Sequence, residues 1–178
     1  KAGQNVRQAG EDIKKGDVVL AAGRRLTAAD LGLMASLGIG EIAAYRKPRV
    51  AFFSNGDELR SIGDSLEIGD VFDSNRYTLH AMLRQLGAEL IDLGLIADDP
   101  TALRDAFIAG DHAADMVITS AGASVGDADY VHEILDSLGS VSFWKLAIKP
   151  GRPLAFGQLD SSVFFGLPGN PVAVMVTF

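Results

Sequence analysis

The sequence predicts an α/β fold, a three-layer αβα sandwich built on a mostly parallel sheet, with part of another domain before it. Beyond Pro48, apolar runs of strand length alternate with longer segments of helical period, the pattern of βαβ units. Runs such as DMVITS are continuously apolar, as in strands covered on both faces. A chain of 178 residues, 48% of them hydrophobic, can also bury one sizeable core.

The first 47 residues are predicted to be the remnant of an adjoining domain, and residues 48–178 the main domain. Thr27 is a suitable N-cap for a helix that ends at Gly38. Pro48 then breaks the pattern, because it disfavours helix at the preceding residue and cannot continue a central strand. The chain opens with Lys1 and closes on an uncapped helix, so we expect a fragment of a longer protein.

In the main domain the hydrophobic pattern predicts strands and helices in strict alternation. The strands are expected at 50–53, 89–93 and 116–119, and the helices at 74–86, 100–109 and 130–138. Asp99 followed by Pro100 is a helix start, and Gly87 and Gly139 are helix stops. Strands at 154–158 and 163–167 flank a turn and are expected to form an antiparallel edge pair.

Composition excludes several classes of protein. The formal net charge is −7 and the pI is near 4.8, which argues against a nucleic-acid partner. The absence of Cys excludes disulfides, thiolate metal sites and cysteine nucleophiles. Neither a membrane-length apolar run nor a signal peptide is visible, so a cytoplasmic protein with no membrane partner is expected.

The loops that follow strands are much richer in Gly, Ser, Asp and Asn than the loops that precede them. Ligands of open parallel sheets bind at the carboxyl ends of the strands, so this edge is the predicted functional face. The loop 120–129 offers small residues, two acids and a helix start, which suits an oxyanion together with Mg²⁺. The alternative is that Asp129 only caps the following helix.

Other candidates flank this loop. Asp99 has a structural role as an N-cap, whereas Asp98 has none and is the better ligand. For Asp57 and Glu58 the alternative is a solvated turn. Lys145, Lys149 and Arg152 form the densest basic group near the edge and suit phosphate or a tetrahedral oxyanion, unless they are solvated surface.

The last strand is followed by Pro168-Gly169-Asn170-Pro171. Asn170 suits an N-cap and Pro171 a first helical residue, which leaves the Gly169 amide as a candidate anion contact. The three histidines, His80 in a helix, His112 in a turn and His132 in a helix, match no metal triad. Ser54, Ser120 and Ser124 have no neighbouring His or acid at nucleophile-elbow spacing, which argues against serine hydrolase chemistry.

These stretches resemble the MoeA family of molybdopterin molybdenumtransferases, to which gephyrin is related. Segments in family order carry the resemblance over nearly the whole chain: GEDIKKGDVVLAAGRRL, SNGDEL, DSNRY, DDPTALRDAF, TSAGASVGDADYV, FWKLAIKPGRPLAFG and GLPGNPVA. The resemblance implies a MogA-like molybdopterin-binding fold for the middle region. Asn55 and Ala121 depart from the usual residues, and Ala121 adds a methyl where backbone approach is close.

The resemblance also implies a reaction. Molybdate is inserted into adenylylated molybdopterin with Mg²⁺-dependent release of AMP, in a dimer of the full-length protein and with a MogA-type enzyme as a possible partner. It implies roles for particular residues. Catalytic or metal-linked roles fall to Glu58, Asp98, Asp129, Lys145 and Lys149, with Glu58, Asp98 and Asp129 as metal ligands. Substrate-binding roles fall to Asp57, Ser120, Gly122, Ser124, Gly126, Arg152, Pro168, Gly169, Asn170 and Pro171.

Two alternatives stay open. One is a MogA-type adenylyltransferase, which acts one step earlier. The other is a noncatalytic scaffold or binding module of the gephyrin kind.

Overall fold

The computed structural model describes residues 3–121 and 129–178, with the backbone alone at 129 and 130. The chain divides into two compact units, Lys1–Tyr45 and Arg46–Phe178. In chain order the elements are α1 (Ala28–Ser36), β1 (Arg49–Asn55), β2 (Leu59–Arg60), β3 (Val71–Phe72), α2 (Asn75–Gln85), β4 (Glu89–Ile96), α3 (Pro100–Ala113), β5 (Met116–Ser120), α4 (Asp129–Leu138), β6 (Gly139–Lys145), β7 (Pro153–Leu159), β8 (Val163–Leu167) and α5 (Pro171–Thr177).

The first unit contains the helix that the sequence predicted after Thr27. Thr27 and Asp30 form a capping box, in which each side chain accepts a hydrogen bond from the other residue's backbone N–H. Arg24 pairs with the buried Asp30 carboxylate at 2.9 Å. The Arg24 hydrogen bond, supported by those of Thr27, lowers the pKa of Asp30 from 3.8 to about 2.

The second unit is built on a six-stranded sheet in the order β4-β1-β5-β8-β7-β6. The β1–β4, β1–β5 and β5–β8 pairs are parallel, while β7 is antiparallel to both β8 and β6. It follows that β6 runs in the same direction as β8, so β7 alone is reversed in this sheet. The prediction of a mostly parallel sheet is confirmed.

The antiparallel pair is also confirmed, but its place in the sheet differs from the prediction. β8 lies inside the sheet against β5, and the edge strand is β6, which the sequence analysis did not predict. Gly139 was expected to be only a helix stop, yet it begins this strand. A Cβ on Gly139 would lie 2.1 Å from the carbonyl oxygen of Gln158, so only glycine allows β6 to approach β7 at this point.

Helices cover both faces of the sheet. On one face Leu79 of α2 and Val174 of α5 join a core cluster with Phe52. On the other face Phe107 of α3 and Leu135 of α4 join a cluster with Phe53. Successive residues of β1 thus point into opposite cores, which explains its continuous apolar run and confirms the three-layer sandwich.

One helix is longer than expected. α3 continues to Ala113 rather than ending at 109, so His112 lies in this helix and not in a turn. The extra turn is held because the Asp111 carboxylate accepts hydrogen bonds from the backbone N–H groups of Ser161 and Ser162 and from the Ser162 hydroxyl. In the part of the chain that the structure describes, no helix has the length and hydropathy needed to cross a membrane.

Candidate functional site

Five strands end at one edge of the sheet. β1, β4, β5, β8 and β6 share one direction, so the loops that follow them meet at their carboxyl ends. The loop 146–152 belongs to this edge because β6 ends and the reversed β7 begins there. The topology therefore brings the predicted acidic, small-residue and basic loops to the same edge.

A buried network of hydrogen bonds connects the carboxyl ends of β1 and β5. The hydroxyl oxygens of Ser54 and Ser120 lie 2.8 Å apart, and the Ser54 hydroxyl donates to the Asp73 carboxylate at 3.0 Å. Asp73 precedes α2 and is 2% exposed. It also accepts from the backbone N–H and from the guanidinium of Arg76. The predicted site residue Ser120 is thus part of the framework that joins two strands to α2.

Arg76 links this network to β4. Its guanidinium contacts Asp73 at 3.2 Å and Asp92 at 3.0 Å. Burial is the largest single influence on the pKa of Arg76 and lowers it, but hydrogen bonds and charges from Asp92 and Asp73 together outweigh burial and raise it. Arg76 therefore stays charged and fixes the start of α2 against the sheet.

The acidic loops after β1 and β4 touch each other. The Asp57 carboxylate accepts a hydrogen bond from the backbone N–H of Asp98 at 3.2 Å. The Asn55 amide donates to the Asp98 carboxylate at 3.5 Å and accepts from the Thr119 hydroxyl at 3.3 Å. Asp57 and Asp98 are both exposed, so their carboxylates face solvent at the edge. The structure brings these two predicted residues together, and Asn55 joins Asp98 to Thr119 of β5.

Glu58 sits at the start of a short excursion that carries β2 and β3. Its carboxylate lies against Gly56, where an added Cβ would be 2.7 Å from a Glu58 side-chain oxygen. The Arg60 guanidinium donates to the Asp57 carbonyl at 2.7 Å and pairs with Asp70 at 2.9 Å. Glu58 is exposed, and the fixed loop holds it beside Asp57.

The loop after β8 is fixed by α2. Asn75, the first residue of α2, donates from its Nδ2 to the Gly169 carbonyl at 2.7 Å. The Asn170 side chain accepts from the backbone N–H groups of Val172 and Ala173, and Pro171 is the first residue of α5, as the sequence predicted. Asn170 therefore serves as an N-cap.

The basic loop lies at the other end of the edge. Lys145, Lys149 and Arg152 are exposed, and among the described residues none forms an ion pair or hydrogen bond with their side chains. Gly151 is buried between them, and a Cβ there would lie 2.7 Å from the Thr177 side chain. Four strand spacings separate β1 from β6, so the acidic and basic groups lie roughly 19 Å apart along the edge.

Part of the predicted site lies outside the described residues. This holds for Gly122, Ser124 and Gly126, and for the side chain of Asp129, whose backbone begins α4. Immediately before them, Ala121 has φ = 77°, the left-handed region that favours glycine. Its Cβ lies 3.4 Å from the position that a Cβ on Gly169 would take. Ala121, directly after β5, is therefore close to Gly169, which follows β8.

The acidic end suits a hard cation in the chemistry of its donors. Asp57, Glu58 and Asp98 offer only carboxylate oxygens, and Mg²⁺ commonly takes one or two carboxylates and completes its shell with phosphate and water. Within residues 3–121 and 129–178, no group of three or more His, Asp or Glu is close enough to form a metal cluster.

Sequence reasoning missed four polar residues that organise this edge: Ser54, Asp73, Asn75 and Arg76. Their contacts join residues far apart in the chain, such as Asn75 and Gly169, and no local spacing reveals them. The available signal was the run Asp73-Ser74-Asn75-Arg76 at the start of a predicted helix, where an N-cap alone needs only one such residue.

A hollow of about 410 Å³ lies elsewhere, lined by Ile108, Asp111, His112, Ser137, Leu138 and Asp160. These residues belong to the ends of α3 and α4 and to the turn between β7 and β8, at the opposite edge of the sheet. The Asp111 carboxylate is already engaged by the Ser161 and Ser162 groups. The candidate residues are therefore not in this hollow.

Fold and site define an α/β ligand-binding domain with acidic and basic loops along the carboxyl edge of its sheet. Residues 58–178 match the family described as "Probable molybdopterin binding domain", and the chain belongs to this family. Residues 1–38 match the "MoeA N-terminal region (domain I and II)".

Two similar proteins support the assignment of the chain to this family. A molybdopterin molybdenumtransferase of Haemophilus influenzae is 52% identical over 178 residues, which are all of this chain and 44% of the relative. A MoeA protein from Pyrococcus horikosii has a structure with a TM-score of 0.77 and 32% identity, over 94% of this chain and 41% of that one. The chain thus spans less than half the length of these relatives.

A more distant structure supports the fold alone. The MoaB enzyme from Thermus thermophilus aligns with a TM-score of 0.54 at 17% identity, over 71% of this chain and 84% of that one. The expected MogA-like fold is confirmed, and MoaB is among its structural neighbours.

Proposed function

We propose that the protein acts in molybdenum cofactor biosynthesis as a molybdopterin molybdenumtransferase. In the proposed reaction, molybdate is inserted into adenylylated molybdopterin and AMP is released with Mg²⁺. The observation that carries the proposal is that exposed carboxylates and exposed cations lie along the same sheet edge, and that these cations have no partner among the described residues. The name of the 52% identical relative supports the same activity.

The reaction requires two anions to meet, since molybdate and a phosphorylated pterin repel each other. Lys145, Lys149 and Arg152 are proposed to offset this repulsion by contacting anionic oxygens, Lys as a point charge and Arg as a fork. When bound, Mg²⁺ neutralises charge on the phosphate and orients it. Glu58, Asp98 and Asp129 are the residues proposed to hold the metal, and Asp57 supports Asp98 through its backbone hydrogen bond.

The loops between the two charged ends are proposed to shape the pterin and nucleotide pocket. They contribute Ser120, Gly122, Ser124, Gly126, Pro168, Gly169, Asn170 and Pro171. Ser120 is hydrogen-bonded to Ser54 and Gly169 to Asn75, so these two parts of the pocket wall are positioned before a ligand binds. The full-length protein is further proposed to be a cytoplasmic homodimer that receives its substrate from a MogA-type enzyme.

The adenylyltransferase alternative is less well supported. The MoeA N-terminal region matched by residues 1–38 favours the later step, because it accompanies the molybdopterin-binding domain in this chain. The two activities differ in their substrates, since the earlier step consumes ATP and free molybdopterin.

The proposal is tested with the full-length gene product, adenylylated molybdopterin, molybdate and Mg²⁺. We expect AMP release that depends on molybdate and that is reduced about 100-fold or more by Asp129→Ala, because charge neutralisation of the phosphate is a large catalytic contribution. Asp105→Ala, an exposed acid on α3, is the matched control and should leave the rate unchanged. Formation of adenylate from ATP would instead establish the adenylyltransferase, and neither reaction would favour a binding role.

A further inference from the structure

The side-chain amide of Asn75 forms a hydrogen bond through its nitrogen but, among the described residues, none through its oxygen. Asn75 is 7% exposed, and its Nδ2 donates to the Gly169 carbonyl at 2.7 Å. Its Oδ1 is buried and accepts no hydrogen bond from the described residues. Buried polar atoms in native proteins nearly always have a partner, so this oxygen needs an explanation.

The orientation of the amide is fixed by its chemistry. Reversing the group would place Oδ1 against the Gly169 carbonyl, and two acceptors cannot share a hydrogen bond. The nitrogen therefore belongs beside Gly169, and the free position is an acceptor. Only an N–H or O–H group can satisfy it.

The location of this oxygen ties it to the candidate site. Asn75 begins α2, two residues after Asp73, which is hydrogen-bonded to the end of β1 through Ser54. On its other side Asn75 contacts Gly169, which follows β8 and packs close to Ala121 after β5. Asn75 therefore contacts the loop that follows β8, and its neighbours Asp73 and Gly169 connect it to the ends of β1 and β5.

We propose that Asn75 contacts the substrate: its Oδ1 accepts a hydrogen bond from a neutral N–H or O–H group of the bound ligand while its Nδ2 holds the Pro168–Pro171 loop. This inference rests on the proposed function. Phosphate and molybdate oxygens are acceptors at neutral pH, so neither satisfies Asn75. The matching donors are the ring and amino N–H groups of the pterin and the hydroxyl or amino groups of the adenosine half.

These two sources of a donor are separated by a binding measurement. The full-length gene product is titrated with molybdopterin and, separately, with AMP, for wild type, Asn75→Ala and the control Gln85→Ala. Gln85 is an exposed carboxamide at the other end of α2. Thermal unfolding of each variant shows that the comparison is made on folded protein.

We expect Asn75→Ala to weaken binding of one probe about fivefold, the loss of a single hydrogen bond, and to leave the other within twofold. The weakened probe identifies the half of the ligand that carries the donor. Gln85→Ala should bind both probes like wild type. If Asn75→Ala does not fold, Asn75→Leu, which fills a similar volume and has no hydrogen-bond acceptor, carries the same comparison.

Equal weakening of both probes would show that Asn75 acts only through the loop, and unchanged binding of both would show that it is not a contact. Either result overturns this inference while the proposed function stands. Failure of wild type to bind either probe would overturn the proposed function itself, and with it this inference.

Discussion

Ser54 and Ser120 are directly opposite each other in the parallel β1–β5 pair, and their buried hydroxyl oxygens lie 2.8 Å apart. Both strands end in polar residues inside the protein, where an apolar side chain would be the usual choice. The hydroxyls are satisfied because Ser54 also donates to Asp73 at the start of α2. The edge is thus stabilised by a buried polar network before any ligand contributes.

The central member of this network is Asp73, so Asp73→Asn is expected to destabilise the protein. The new amide nitrogen would face the Arg76 guanidinium, leaving two donors where an ion pair stood. We expect a loss of about 3 kcal/mol in the free energy of unfolding, the low end for breaking a buried pair, because Arg76 keeps Asp92. Urea denaturation measures it, with the exposed Asp105→Asn as the matched control. A change no larger than that of the control would contradict the assigned role.

Ala121→Gly is expected to stabilise the protein. Ala121 has φ = 77°, a left-handed conformation that costs an L-residue about 1–2 kcal/mol and costs glycine almost nothing. Glycine also makes the unfolded chain more flexible, which offsets part of this gain in stability. We therefore expect the free energy of unfolding to rise by about 0.5–1 kcal/mol. Ala81→Gly, on the exposed face of α2, should instead destabilise by about 0.5–1 kcal/mol. Loss of stability in Ala121→Gly would show that the left-handed conformation is not strained.

Two helical glycines are expected to respond oppositely to alanine. A Cβ on Gly110 of α3 would lie 3.0 Å from Val117 Cγ2 and 3.4 Å from the Ala51 Cβ, so Gly110→Ala should cost about 1 kcal/mol despite better helix propensity. Around Gly32 of α1 there is open space, and Gly32→Ala should gain about 0.5–1 kcal/mol. Unfolding midpoints test both. If both variants gained stability, the close packing of α3 on the sheet would be refuted.

Most of the fold could be predicted from the sequence because the features that determine each strand and helix lie within a few residues of one another. The continuous apolar runs of β1 and β5, the Asp99 cap and the glycine after α2 each act within a few residues. β6 escaped prediction because its exposed edge position leaves a mixed pattern, GSVSFWK, and because its pairing depends on the missing Cβ atoms of Gly139 and Gly157.

Only part of the candidate site could be predicted from the sequence. The loops could be placed at one edge, since strand direction follows from the βαβ pattern, and this brought Asp57 and Asp98 together. The roles of Asp73 and Asn75 depend on contacts with residues 19 and 94 positions away, which no spacing rule supplies. The roles of Glu58, Asp129 and the basic loop as ligands of metal and substrate stay predictions.

We expect the Asp30 carboxyl to make the stability of the first unit depend on pH. Its pKa falls from 3.8 to about 2 on folding, first because Arg24 donates a hydrogen bond to the carboxylate. A lowered pKa stabilises the folded state fully above pH 4, and this stabilisation is lost as the pH falls from about 4 to about 2. An NMR titration of the Asp30 carboxyl carbon measures the value directly. Arg24→Gln should move the pKa back toward 3.8, and a titration that did not change would refute the role of Arg24.

Asp98 and Asp99 are adjacent acids with different expected roles, and substituting each in turn separates structure from chemistry. The Asp99 carboxylate accepts from the backbone N–H groups of Thr101 and Ala102 at 3.0 and 2.9 Å. Asp99→Ala should therefore cost about 1 kcal/mol of stability, the usual value of an N-cap, and leave the metal response unchanged.

Asp98→Ala should show the reverse. Asp98 is exposed and its carboxylate accepts a long hydrogen bond of 3.5 Å from Asn55; substitutions at exposed positions usually change stability by less than about 0.5 kcal/mol, and this is the change we expect. As a proposed metal ligand, it should raise the Mg²⁺ concentration for half-maximal AMP release by about tenfold in the full-length gene product, since a lost carboxylate weakens a hard-cation site. The two variants are compared by urea unfolding and by Mg²⁺ titration of the rate. If Asp99→Ala shifted the Mg²⁺ requirement and Asp98→Ala did not, the assignment of Asp98 as a metal ligand would be wrong.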